Sequence, residues 1–217
     1  MRRSNFEDQP VDYAAVGATQ AHDLMQYPPQ GFVPYEASIR LGSGAERFDA
    51  ASTSLLTWAV QRGAGLRVDD VQASSGESYG GIRYAEDGSP LEAIHVSTEQ
   101  RFGADGTPYI TSGTTARLHG RIGSFTVDEQ IRVVYLVEEP NVVAFAHGTV
   151  GGKRVSGEDA FRIERRDDDS VWFQVRSFKR PLALRYRILR PLMALRHKRL
   201  TTAYLRALSP LWTGPAT

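Results

Sequence analysis

The sequence predicts an α+β fold, and three patterns carry that prediction. Residues 65–178 alternate apolar and polar side chains between recurring turn signals. Residues 44–62 place apolar side chains at helical spacing, and a second helical stripe closes the chain beyond Pro191.

Taken in order, "YEASIRLG" (35–42) is the first strand. Ala37, Ile39 and Leu41 alternate with Glu36, Ser38 and Arg40, the period of a half-buried strand. Ser43 or Gly44 then caps a helix, and Glu46 sits in its first turn, where the helix dipole favours an acid. Phe48, Ala51, Leu55, Trp58 and Ala59 share one face and Gly63 ends the run, so one helix is expected over 44–62. Turn signals recur at Asp87-Gly88, Asp105-Gly106, Gly120 with Gly123, Pro140-Asn141, Gly151-Gly152 and Asp167-Asp168-Asp169. Strands joined by short turns make an antiparallel meander. In "IRVVYLV" both parities are apolar, which predicts cover on both faces. Pro181 and Pro191 each open a helical segment, the place where proline is tolerated. Met193, Leu200, Tyr204 and Leu208 form the inward stripe of the second. The organisation expected is an irregular leader (1–34), one α+β domain (35–208) and a short tail (209–217).

The chain has 217 residues, 41% of them hydrophobic, enough for a substantial core. It has no cysteine, which excludes disulfides, thiolate metal sites and cysteine nucleophiles. No apolar run follows Arg2 and Arg3, so a secretory signal is not expected and a cytoplasmic location is. Residues 176–217 carry a charge of +10 with no acid, against −9 for the rest. Arg185, Arg190, Arg196 and Arg199 are the candidate anion-binding residues of this tail, and an anionic membrane surface is their candidate partner. Only Tyr186 offers a stacking aromatic among them, so nucleic acid is not expected.

The stretch "GTVGGKR" (148–154) looks like a phosphate loop, but the details exclude one. Three residues, not four, separate Gly148 from the Gly152-Lys153 pair, and Arg154 stands where a hydroxyl should hold magnesium. The adjoining "VSGEDAFRIER" (155–165) alternates like a strand and supplies no helix N-terminus. Gly151-Gly152 reads instead as a hairpin turn. Beyond it, Asp159 shares the parity of Phe161 and Ile163, while Glu158 shares that of Arg162. A carboxylate on an apolar face reaches solvent or pairs with a cation. His147 lies on the facing strand, so His147, Glu158 and Asp159 are the candidate catalytic residues. His22, His95, His119 and His197 are scattered, with no metal-ligand spacing; no metal or cofactor is expected.

Several stretches together resemble the DUF1990 family of bacteria and plants: Tyr13 with "VGAT" (16–19), "LGSGAERFDAASTSLLTW" (41–58), "SGTTARL" (112–118), "RVVYLVEEP" (132–140), "FAHGTVGGKRVSGEDAF" (145–161) and "VWFQVRSFKRP" (171–181). Residues 80–110 look like an added hairpin. The sequence departs from the family pattern at His147, where an aromatic precedes Gly-Thr; at Gly152-Lys153, where Gly-His stands at the turn; and at Lys179, a Ser- or Thr-like position. The order of elements is also similar to the helix-grip fold of START and Bet v 1-like ligand binders. That resemblance implies a curved antiparallel sheet packed on a long C-terminal helix, with an apolar cavity between them. It implies an apolar small molecule or lipid as ligand, lined by Trp58, Tyr135, Phe145, Phe161, Trp172, Phe173 and Tyr186. A cyclase, isomerase or hydrolase built on a His–carboxylate pair, and an adaptor for anionic membrane or RNA, are the alternatives. The sequence leaves the oligomeric state open.

Overall fold

Seven antiparallel strands form one sheet in the order β1-β7-β6-β5-β4-β3-β2. The computed structural model describes residues 11–73, 101–103, 106–152, 154–182 and 190–209, with side chains from 194 onward in the last stretch. The strands are β1 (Val33–Ser43), β2 (Leu66–Gln72), β3 (Thr115–Ile122), β4 (Phe125–Glu139), β5 (Val142–Thr149), β6 (Val155–Arg165) and β7 (Ser170–Pro181). From β2 to β7 they form the expected meander. The turns at Gly123, Pro140-Asn141, Gly151-Gly152 and Asp167–Asp169 fall where the sequence places them. The Asp87-Gly88 signal, and most of the hairpin expected over 80–110, lie outside the described residues.

Strand β1 pairs with β7 at the far edge, so the chain must cross the whole sheet to begin β2. Seven strands at about 4.8 Å spacing make that crossing roughly 29 Å. Helices α1 (Ala45–Leu56) and α2 (Ala59–Gly63) make it, across the face that becomes the core. Helix α3 (Arg190–Ala207) lies against the same face, so the chain closes as a helix-grip arrangement. Arg47 ties the pieces together, donating to the carbonyls of Leu41 and Leu208. At Gly63 the backbones of α2 and α3 come so close that a Cβ would sit 2.8 Å from that of Ala207.

The helical run expected over 44–62 is present but divided. Thr57 turns its hydroxyl back onto the carbonyl of Thr53, and Trp58 takes a left-handed conformation, φ 62°. That conformation costs about 1–3 kcal/mol in a residue other than glycine. Burial compensates: the indole is 2% exposed and meets Phe145 edge to face at 5.6 Å. Around it, Leu55, Phe161, Phe173, Val175, Leu200 and Tyr204 complete the inner core.

The outer face is covered by the leader. Tyr13 and Leu24 pack on Phe178, with Val11, Ala15, Ala18 and Phe32 around them. Two carboxylates lock this strap in reciprocal ways. Asp12 accepts from the hydroxyls of Thr149 and Ser156 and from the Gly152 N–H, at 2.6–2.7 Å. The glycine-rich turn therefore grips an anion after all, one supplied by its own chain. In return, Glu158 on β6 accepts from Tyr13 Oη and the Gly17 N–H at 2.8 Å, and from the Thr19 N–H and hydroxyl. Gly148 makes room for this, since a Cβ there would lie 2.1 Å from Tyr13 Oη.

Four donors converge on Glu158, so an acceptor-only group is required. Glu158→Gln keeps the shape but turns an amide against those donors. It is expected to destabilise the protein by about 1–3 kcal/mol in urea unfolding at pH 7. An unchanged midpoint would show that the strap does not depend on this lock.

Candidate functional site

On the inner face, directly behind Glu158, polar side chains from four strands and α3 meet inside the apolar core. Val133, His147, Asp159 and Ser177 are successive cross-strand partners on β4, β5, β6 and β7. Their side chains share one face because partners in register point the same way. Lys179 Nζ lies 2.7 Å from Asp159 Oδ2 and 3.7 Å from Glu129 Oε2. Arg196 on α3 reaches the other oxygen of Glu129 at 3.0 Å. Its neighbour His197 shares a 2.6 Å hydrogen bond with Ser177 Oγ and lies 5.2 Å from the ring of Tyr35.

Two acids thus face two bases, and burial sets their ionisation. Burial, the largest single influence, pushes the Asp159 and Glu129 carboxyls up, but Lys179 together with the two histidines at Asp159, and Lys179 together with Arg196 at Glu129, outweigh it, and both end below the ordinary value. Burial works against the Lys179 ammonium too, and the two carboxylates reverse that, raising it. For the histidines, the same two carboxylates act against burial but do not overcome it. Burial, with Lys179 adding to it, holds His147 and His197 at about 4, so both rings are neutral at pH 7.

His147 is the anomaly of the cluster. Its ring is 2% exposed, tilted against Phe161 at 5.5 Å and Phe145 at 6.2 Å. Nε2 is buried with no hydrogen-bond partner, and no bond joins the ring to Asp159, whose carboxylate is taken by Lys179. A buried ion-pair network contributes little stability over apolar packing, and an unmet buried nitrogen costs about 1–3 kcal/mol. A cluster that folding alone does not require is a candidate functional site.

A separate cavity of about 250 Å³ lies at the β2, β3 and β4 side of the sheet, lined by Asp70, Gln72, Thr115, Ala116, Arg117, Gln130, Ile131 and Val150; none of these belongs to the cluster, to α3 or to the aromatic residues expected to line a ligand site. Ala116 and Ile131 are also part of the main core, whereas Thr115, Arg117 and Gln130 have the opposite parity along their strands. Along β4 the inner-face residues run Glu129, Ile131, Val133, so Ile131 stands between a member of the cluster and the partner of His147. At the rim, Asp70 occupies a left-handed conformation, φ 52°, where β2 bulges between Asp69 and Gln72. Among the described residues no three His, Asp or Glu side chains are grouped to hold a metal ion.

The sequence candidates divide over two faces. Trp58, Phe145, Phe161 and Phe173 pack together in the inner core. Tyr135 lies on the outer face with Ala146 and Ala160, its hydroxyl 2.9 Å from Thr19 Oγ1. A bulge at Val134, between the pairs Val133–His147 and Tyr135–Ala146, reverses the parity there. Trp172 is also outside, under the guanidinium of Arg166, because adjacent Phe173 takes the inner face. Glu158 is on the outer face, under the strap. Arg196 points inward to Glu129, whereas Arg199 is exposed and lies over Phe125. Tyr186, Arg185 and the side chain of Arg190 lie outside the described residues. Sequence reasoning missed Glu129, Ser177 and His197. Glu129 had a signal, sharing the parity of Val127 and Ile131; nothing marked His197, which α3 brings in from afar. His147 and Lys179, two departures from the family pattern, meet on either side of Asp159.

Acid should dismantle this cluster. Each histidine falls from an ordinary value near 6.5 to about 4 on folding. The unfolded chain therefore takes up protons first, and stability is lost as pH drops from about 6.5 to about 4. The loss is on the order of 3 kcal/mol per histidine. Urea midpoints between pH 7 and pH 4 should fall accordingly, and His147→Phe should remove its own share of the slope. A flat profile would contradict the buried, neutral state.

The family model described as "Domain of unknown function (DUF1990)" matches residues 12–86 and 91–207. The match breaks only at 87–90, so residues 80–86 and 91–110 belong to the family pattern and are not an addition to it. A UPF0548 protein of Deinococcus radiodurans is 38% identical over 77 residues, 36% of this chain. That match spans about two fifths (39%) of the relative's length. Among solved structures, a hypothetical protein from Helicobacter pylori aligns with a TM-score of 0.52 at 12% identity, over 98% of this chain and 99% of that one, and shares the fold. A START superfamily protein from Mycobacterium smegmatis aligns at 0.43 and 14% identity, over 79% and 94%. With nearly the whole described fold inside the matched segments, the chain belongs to the DUF1990 family.

Proposed function

We propose that this chain is a binding module for a small molecule with an apolar body and a polar head, held in the cavity between β2, β3 and β4. One observation carries the reading: a cavity lined by apolar Ala116, Ile131 and Val150 together with polar Gln72, Thr115 and Gln130. Apolar walls with a few convergent polar groups are what small-molecule sites need. At about 250 Å³ the cavity lies below the roughly 300–1,000 Å³ of drug-sized sites, so the ligand is small. Acid–base catalysis by His147 with Asp159 has less support, because the carboxylate is engaged by Lys179 and does not orient the ring. Titrating the purified chain with 2-naphthol, read by fluorescence, should saturate. Gln130→Trp, a bulky side chain at an exposed position of the lining, should abolish saturation without lowering the melting temperature. Absence of saturable binding in the unmodified chain would overturn the reading.

A second surface supports a second role. Leu195, Lys198, Arg199 and Arg206 are exposed along one outward stripe of α3, with no acid on the helix. We propose that this stripe contacts anionic membrane. No helix among the described residues is long and apolar enough to cross one. Co-sedimentation with vesicles containing phosphatidylserine should exceed that with phosphatidylcholine alone, and should collapse in Lys198→Glu/Arg199→Glu and in high salt. Equal sedimentation with both vesicle types would rule the contact out.

A further inference from the structure

The two edges of the sheet are not alike. At one, β2 carries Asp69 and Asp70, bulges between Asp69 and Gln72, and holds Asp70 in a left-handed conformation, φ 52°. Charges and a bulge of this kind keep an edge strand from pairing with another chain. At the other, β1 runs in unbroken register with β7 from Val33 to Arg40, and among the described strands β7 is its only partner. Pro34 has no N–H, and a strand accommodates proline where that position faces out of the sheet. Residues of the same parity, Glu36, Ser38 and Arg40, therefore turn their backbone N–H and C=O groups to the open edge. Their side chains are exposed on the outer face, while Tyr35, Ala37 and Ile39 are half-buried on the inner one.

The charges along this edge are self-complementary. Glu36 and Arg40 stand symmetrically about Ser38. When a second copy pairs antiparallel about a two-fold axis at Ser38, Glu36 faces Arg40 of that copy and Arg40 faces its Glu36, while Ala37 meets Ile39 on the inner face. A slip of two residues sets Glu36 against Ser38 or Gly42 and leaves the charges unmatched. A slip of one turns the apolar side chains to the wrong face. Arg40 is exposed and forms no ion pair or hydrogen bond among the described residues. Glu36 lies 2.9 Å from Arg176, its cross-strand partner on β7, so the pairing extends an outer-face row of alternating charge.

We infer that β1 pairs with β1 of a second copy, centred on Ser38, to give a two-fold dimer with one continuous sheet. Pairing over Glu36–Arg40 spans about 17 Å of strand, a small interface, so the dimer is weak and depends on concentration. Sedimentation equilibrium of the full-length chain should show a dimer fraction that grows with concentration. Glu36→Arg and Arg40→Glu each set like charges across the seam, and each should weaken dimerisation by about tenfold or more. Mixed in equal amounts, the two variants bring opposite charges to both contacts and should dimerise with each other, which misfolding could not mimic. The chain has no cysteine of its own, so Ser38→Cys should crosslink to itself on mild oxidation, whereas Ser43→Cys should not. A chain that stays monomeric at every concentration, or a mixture no more dimeric than its components, would overturn the proposal and leave this edge to another segment or a different partner. If a charge variant does not fold, the Ser38→Cys crosslink measured against Ser43→Cys still decides the question.

Discussion

Two consecutive carboxylates on the interior strand β6 organise this molecule. Glu158 and Asp159 must point to opposite faces of the sheet, and both faces are covered. Neither can be buried without partners, because an isolated ion in an apolar interior is prohibitively costly. The protein solves the two cases differently. Outside, neutral donors from an otherwise irregular strap surround Glu158. Inside, cations from β7 and α3 neutralise Asp159 and Glu129.

The two solutions have different consequences. The outer lock orders a segment with almost no regular structure of its own; its described part holds a single 3-10 turn, Ala18–Gln20. It also accounts for the glycine signature of the β5–β6 turn, which leaves space for Tyr13 and supplies a donor to Asp12. The inner network is closed in charge yet open in hydrogen bonding, at one imidazole nitrogen.

Much of this was legible in the pattern of residues. The antiparallel meander, its turns and the buried positions Leu200 and Tyr204 of α3 follow from period-2 and period-3.6 patterning, which are local signals. The same parity rule separated Asp159 from Glu158 and put His147 on the facing strand; the register that sets it opposite Asp159 came only from the folded sheet. It failed at Tyr135, where both parities of β4 are apolar and a one-residue bulge leaves no trace in composition. It was not applied to Trp172 and Phe173, which cannot both line one surface. The helix break at Trp58 was hidden because the apolar spacing continues across it.

What the sequence by itself determined is the set of elements, the faces they bury and the presence of acids that need partners. Each depends on near neighbours along the chain, within one strand or one turn of helix. Which partner each acid receives was decided only in three dimensions. Lys179 lies 20 residues along the chain from Asp159, Arg196 lies 67 from Glu129 and Tyr13 lies 145 from Glu158. Those separations carry no local signature. Register, the bulge at Val134 and the docking of α3 set the distances, and Coulomb and hydrogen-bond energies depend on distance in space, not on separation along the chain.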